Sequence, residues 1–245
     1  MSDTAAPEIN ILNATKIAQT INRLQLRVSD RFPDSGLLRV ASQLHEVALE
    51  TDQTIRWIEK PGYLYRSLGI FFLILVVAAL AFAFTELDWK VPFGISSFVS
   101  MSEAALNEIV LLGAGVAFIV SLDLRRKRRR IISALSQLRS IAHVIDAHQL
   151  TKDPSNLGPQ VITHEHSPKR TLTSYQLKRY LDYCSELLSL TSKVAFLYVQ
   201  KFDDPISVNA VYELENLTTG LSRKIWQKIM VLQAATGAPE SNSNT

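Results

Sequence analysis

The feature that most constrains the fold of this chain is a long run without a charged residue, from Ser67 to Thr85. Most of its side chains are large and apolar, so a helix formed by this run is apolar on every side. A chain of 245 residues is too small to bury such a helix in its own core. Since a bilayer core of ~30 Å takes about 20 largely apolar residues in a helix, the run predicts a transmembrane span.

A second, weaker span is predicted further along the chain. Its uncharged stretch runs only from Ile109 to Leu122, and a full membrane length includes Glu108. Topology favours this span, because cytosolic loops carry the excess of lysine and arginine and the chain must return before a basic run that begins at Arg125. The expectation is a multi-pass protein of the cell membrane, of the bacterial inner-membrane type, with both termini in the cytosol.

The basic run decides how the charge of the chain is interpreted. The chain has 26 basic and 23 acidic residues, and the run supplies six of the basic ones, so the remainder is close to neutral. This argues against a broad nucleic-acid-binding surface and makes nucleic acid an unlikely partner. The run is predicted to bind the membrane surface through anionic headgroups. Its members are Arg125, Arg126, Lys127, Arg128, Arg129 and Arg130.

Both ends of the chain show helical periodicity. Apolar residues recur at steps of four and three, beginning at Ile17 and Leu37 in the N-terminal part and at Leu177 and Val208 in the C-terminal part. The predicted segments are a cytosolic helical hairpin (1–60), a transmembrane hairpin (61–124, with spans at about 65–86 and 103–124), a basic flank and stalk helix (125–150), a linker (151–172), a second cytosolic helical hairpin (173–235) and a disordered tail (236–245).

Helix starts are marked by capping motifs. Asp34 or Ser35 is the predicted N-cap of the second helix. S-x-x-E at Ser100 is predicted to start the second span, and Thr173 with Gln176 forms another capping box. Asp204 is predicted to cap the last helix. The predicted fold is an all-α membrane protein, in which a two-span transmembrane hairpin carries a cytosolic helical bundle built from the two terminal hairpins and the extended second-span helix.

Candidate chemistry is sparse. His143, Asp146 and His148 near the end of the stalk, with His164 and His166 in the linker, are weak candidates for a divalent-metal site. Arg39 and His45 have the R-x5-H spacing of some metal-independent ribonucleases, but lie on different faces of a helix. Cys184 lies on an apolar stripe, as a buried structural residue does. No phosphate-binding, dinucleotide-binding or nucleophile-elbow motif occurs, so neither a cofactor nor an enzyme is predicted.

Three residues of the second span are candidates for a pore or an interface. Glu108 is ionisable within a predicted span, and Gly113 and Gly115 allow close helix packing. The predicted function is a non-enzymatic membrane-anchored scaffold or adaptor that assembles with itself or with a cytosolic protein partner. One alternative is an oligomeric pore gated by the bundle, a layout similar to two-span effector modules of bacterial defence and signalling systems. The other is a metal-dependent hydrolase that uses the histidine-rich linker.

Overall fold

The computed structural model describes residues 11–60, 62–85, 95–152 and 172–237, and every regular element in these ranges is an α-helix. This confirms the all-helical prediction. The helices are α1 (Ala14–Arg31), α2 (Gly36–Glu59), α3 (Tyr63–Thr85), α4 (Ile95–Leu150), α5 (Ser174–Val199) and α6 (Pro205–Gly237).

The chain divides into two compact units. The bundle unit comprises Met1–Glu59 and Ile131–Thr245, and the hairpin unit is Lys60–Arg130, inserted between the two parts of the bundle unit. The helix α4 is continuous, and its residues from Ile131 onward belong to the bundle unit.

The prediction of a transmembrane hairpin is wrong. Across the described ranges, none of the helices combines the length and the apolar character that a membrane crossing requires. A span needs about 20 consecutive apolar residues. In α4, Glu108 and Asp123 bound an uncharged stretch that is shorter than this length. The multi-pass membrane localisation, with both termini assigned to the cytosol, rested on these spans and is corrected with them.

The start of α4 also differs from the expectation. The helix begins at Ile95 and passes through Ser100 and Glu103 without interruption, so these two residues do not form a cap at a helix start. Residues 153–171, which include most of the predicted linker, and residues 238–245 of the predicted tail lie outside the described residues.

The other predicted caps are present. The Ser35 hydroxyl accepts a hydrogen bond from the backbone N–H of Leu38 at 3.1 Å, at the start of α2. Thr173 and Gln176 form the reciprocal capping box of α5. The Asp204 carboxylate accepts from the backbone N–H of Ser207 at 3.0 Å, at the start of α6. Each cap satisfies a backbone donor that has no partner within its helix, so each fixes where a helix begins.

The bundle unit is held together by one apolar core, as the helical-bundle prediction requires. In α1, Ile21, Leu24 and Val28 are completely buried, and their spacing of three and four places them on one face. The same pattern continues in the other helices. The fully buried large side chains of the core include Ile21, Leu24, Leu37, Leu44, Ile131, Leu138, Ile141, Ile145, Leu181, Tyr183, Leu187 and Leu188. Burial of each contributes about 1.5–3 kcal/mol relative to exposure.

Specific polar and aromatic contacts join the N-terminal hairpin to α5. Phe32, in the turn between α1 and α2, packs edge-to-face on Tyr180 with ring centroids 5.3 Å apart. The hydroxyl groups of Thr51 in α2 and Tyr198 in α5 share a buried hydrogen bond of 2.9 Å. Because these contacts lie toward opposite ends of α5, they fix the N-terminal hairpin along its length.

The ends of the bundle helices are also tied down by hydrogen bonds. The side-chain amide of Gln200 accepts from the backbone N–H of Leu12 at 3.0 Å and donates to its carbonyl oxygen at 3.3 Å. At the C-terminal end of α4, the Lys228 ammonium donates to the Gln149 carbonyl oxygen at 2.8 Å. A cation at this position also stabilises the negative end of the helix dipole.

Candidate functional site

The hairpin unit is an antiparallel pair formed by α3 and the first part of α4. A Cβ atom on Gly115 would lie 2.9 Å from Cε1 of Phe72, and one on Gly69 would lie 3.9 Å from Cγ2 of Ile119. Leu112 and Val116 are half-buried at the spacing that places them on the same face as Gly115 and Ile119. This inner face of α4 (Leu112, Gly115, Val116, Ile119) therefore packs against α3.

The opposite side of α4 has no partner among the described residues of the chain. Leu106, Val110, Gly113 and Ala117 are all exposed, and they follow one another at steps of four, three and four. Leu106 is 63% exposed and Val110 is 68% exposed. A Cβ on Gly113 would have no atom within 4 Å. Side chains two positions apart in an α-helix point in directions that differ by about 200°. Gly113 therefore points away from the α3 contact that Gly115 makes. These four residues are called the outer face below.

Exposed apolar side chains extend beyond the outer face. Large apolar residues of the hairpin unit that are 38% to 88% exposed are Leu68, Ile70, Phe71, Phe72, Leu73, Ile74, Val77, Ile95, Val99, Leu106, Ile109, Val110, Leu111, Phe118 and Leu124. Summed over all sides of the two helices, these side chains expose on the order of 1,500 Å² of apolar surface. Exposed apolar surface that forms a contiguous patch of more than a few hundred Å² is typical of interaction sites.

One end of the hairpin unit is polar and internally paired. The Asp123 carboxylate of α4 lies against Gly62, immediately before α3, where a Cβ would be 2.7 Å from its Oδ1 atom. An anion here stabilises the positive N-terminal end of the α3 dipole. The Lys127 ammonium lies 3.4 Å from Asp123 and donates to the Lys60 carbonyl oxygen at 3.0 Å. Lys127 therefore links α4 to the segment immediately before α3.

The predicted membrane-surface run therefore contains side chains of two kinds. Lys127 and Arg128 are half-buried, whereas Arg125, Arg126, Arg129 and Arg130 are exposed. Within the described ranges, Arg125 and Arg129 have no carboxylate at ion-pair distance.

The candidates for a pore or an interface take different positions. Gly115 is used in packing against α3, and Gly113 faces open space. Glu108 lies within α4, and its side chain is outside the described residues. The pore interpretation stays a prediction.

The histidine candidates are not brought together as a metal centre. Where the structure describes the chain, no group of three or more His, Cys, Asp or Glu side chains is placed to hold a metal ion. His143 is exposed, Asp146 accepts a hydrogen bond of 2.6 Å from Gln149, and the His148 ring packs on Gly36. His164 and His166 lie outside the described residues.

Cys184 is completely buried in the core of the bundle unit. Burial raises the pKa of its thiol to about 12, which suppresses the reactive thiolate. Cys184 is therefore a packing residue, not a nucleophile.

A groove of about 480 Å³ lies on the bundle unit between α1, α5 and α6, with Trp226 on its wall. Each of its two carboxylates already has an arginine partner. Arg179 donates to Asp182 at 3.4 Å, and Arg27 donates to Glu186 at 2.7 Å. The Arg27–Glu186 pair joins α1 to α5, whereas the Arg179–Asp182 pair lies within α5.

Comparison of the chain with protein-family models, with curated proteins and with solved structures finds no significant match in any of the three.

Proposed function

We propose that this protein is a non-catalytic helical scaffold that assembles with copies of itself, and that the outer face of α4 forms the contact between copies. The observation that carries the proposal is the exposed stripe Leu106, Val110, Gly113 and Ala117. Its steps of four and three are those of the seam along which two helices pack in a coiled coil.

The amount of exposed apolar surface supports a stable contact. The hairpin unit presents on the order of 1,500 Å², whereas a standard protein interface buries about 800 Å² on each partner. At about 25 cal/mol per Å², removal of this surface from water is strongly favourable. An interface that buries about half of this surface would reach the standard size.

The chemistry of the outer face favours a second copy as the partner. All four residues are uncharged, so two copies meet without burying an unpaired charge. Gly113 lies within the stripe and has open space around it, which allows two helix backbones to approach closely. A two-fold axis through such a stripe pairs each residue with its own counterpart or a neighbour, as symmetric dimers do.

Cysteine cross-linking tests this arrangement. Cys184 is the single native cysteine, so Cys184→Ala provides a cysteine-free background. Gly113→Cys in this background is expected to form a disulfide-linked dimer on mild oxidation. Gly220→Cys is the matched control, because Gly220 is also an open, exposed helical glycine but lies in α6.

The outcomes are distinct. A dimer with Gly113→Cys and none with Gly220→Cys supports the contact at the outer face. Equal cross-linking at both positions indicates random collision and contradicts the proposal, as does the absence of a dimer with Gly113→Cys. Cross-linking of Gly113→Cys to a different protein instead of itself would assign the outer face to a heterologous partner and would also overturn the proposal.

A further inference from the structure

We propose that the four exposed arginines Arg125, Arg126, Arg129 and Arg130 form a binding surface for phosphate groups, either of a lipid headgroup or of a free polyphosphate. This surface is called the arginine face below. It is separate from the outer face, and the proposal does not depend on self-association.

The geometry of the helix gathers these four side chains on one side. At 100° per residue, they fall within about 140° of the helix circumference, whereas Lys127 and Arg128 point to the remainder. Burial agrees with this division, because the four are exposed and the other two are half-buried. Over this short stretch, the arginine face therefore carries four positive charges on one surface.

The charges on the arginine face repel one another. Arg125 and Arg129, which have no carboxylate at ion-pair distance in the described ranges, are spaced i,i+4, which brings their side chains close on the helix surface. Like charges at this spacing destabilise a helix by a few tenths of a kcal/mol per pair. The nearest carboxylate along the helix, that of Asp123, is engaged with Lys127. A bound polyanion relieves this repulsion.

Arginine suits phosphate better than a simple cation does. Its planar guanidinium donates two parallel hydrogen bonds to phosphate oxygens and stays charged at every physiological pH. Neighbouring guanidinium groups one helical turn apart are able to contact one multiply charged phosphate compound together. The arrangement therefore favours ligands with clustered phosphates over single carboxylates.

The test compares a double variant of the arginine face with a matched control in the full chain. Arg125→Gln with Arg129→Gln removes two charges from the face, and Arg223→Gln with Lys224→Gln removes two charges from exposed positions of α6. Binding is measured to vesicles of phosphatidylcholine with and without phosphatidylserine. A second measurement uses inositol hexakisphosphate as the soluble probe.

Wild type and the control are expected to bind phosphatidylserine vesicles alike, and the arginine-face variant about 30-fold more weakly, at about fivefold per arginine. Competition by inositol hexakisphosphate would show that free phosphate compounds occupy the same face, and its failure would assign the face to headgroups alone. Equal binding by wild type and the arginine-face variant, or an equal loss in the control, overturns the proposal. Binding that is the same with and without phosphatidylserine also overturns it.

Discussion

The imidazole of His148, near the end of α4, fills the space that a Cβ atom on Gly36 would need at the start of α2. Such an atom would lie 2.6 Å from Nε2 and 2.9 Å from Nδ1. The His148 ring thereby packs the second part of α4 against the start of α2 in the N-terminal hairpin. Two predictions rest on this contact.

Gly36→Ala is expected to destabilise the bundle unit by about 1–3 kcal/mol, because the added methyl group collides with a packed ring. Gly220→Ala, at an open helical position, is expected to stabilise the same unit by about 0.5–1 kcal/mol. Urea unfolding monitored by circular dichroism measures both. Addition of His148→Ala should recover part of the Gly36→Ala loss, and strictly additive effects would show that the two residues are not coupled.

The same contact makes stability depend on pH. Burial, and then the positive charges of Arg39 and Lys152, hold the pKa of His148 below 6.5. The unfolded chain therefore binds the proton more readily, so this contribution to stability is complete above pH 6.5 and is lost as the pH falls through the folded-state pKa. Unfolding free energies at about pH 7.5 and about pH 5.5 should differ less in His148→Asn than in wild type. His143→Asn, which removes an exposed imidazole from the same helix, is the control, and an equal change in both variants contradicts the assignment.

Cys184 reports on opening of the core. With its thiol pKa raised to about 12 and its side chain completely buried, the native protein should react with a thiol reagent at about pH 8 at least roughly a thousandfold more slowly than the unfolded chain. The release of chromophore from an aromatic disulfide reagent measures the rate. Stoichiometric labelling of the native protein within minutes would show that this part of the core is open.

The amide of Gln200 fixes the segment before α1 by imitating the two hydrogen bonds of a backbone partner. Gln200→Ala should destabilise the bundle unit by about 1–2 kcal/mol and accelerate hydrogen exchange at the Leu12 amide. Gln19→Ala, an exposed position of α1, is the control. Unchanged exchange at Leu12 would mean that other contacts hold the segment.

The sequence predicted the bundle helices well where local chemistry decides them. Ser35, Thr173 and Asp204 cap helices because each offers a side-chain oxygen to a backbone donor at the right offset, which is a short-range effect. The Ser100 box failed because α4 was already helical from Ile95, and a capping pattern inside a continuous helix has no free donor to satisfy. Capping motifs therefore place a start correctly only when the preceding chain is not helical.

The sequence did not predict which residues of α4 form the exposed candidate site. Gly113 and Gly115 are the same residue type two positions apart, so they point in directions that differ by about 200°. Gly113 faces open space, whereas Gly115 lies against Phe72. Which side of α4 faces α3 depends on tertiary packing, so periodicity alone did not separate the two glycines. Tertiary packing also decides which residues of the basic run are exposed. Lys127 is half-buried, and it contacts Asp123 and Lys60.

The mass of the purified full-length protein tests self-assembly most directly. Light scattering during size exclusion, with any detergent mass subtracted, should give at least twice the mass of one chain. Val110→Glu with Gly113→Glu should reduce it to one chain by placing charges on the outer face, whereas Leu26→Glu with Gly220→Glu, at exposed positions of the bundle unit, should not. A wild-type protein that has the mass of a single chain at every concentration would contradict the proposed scaffold.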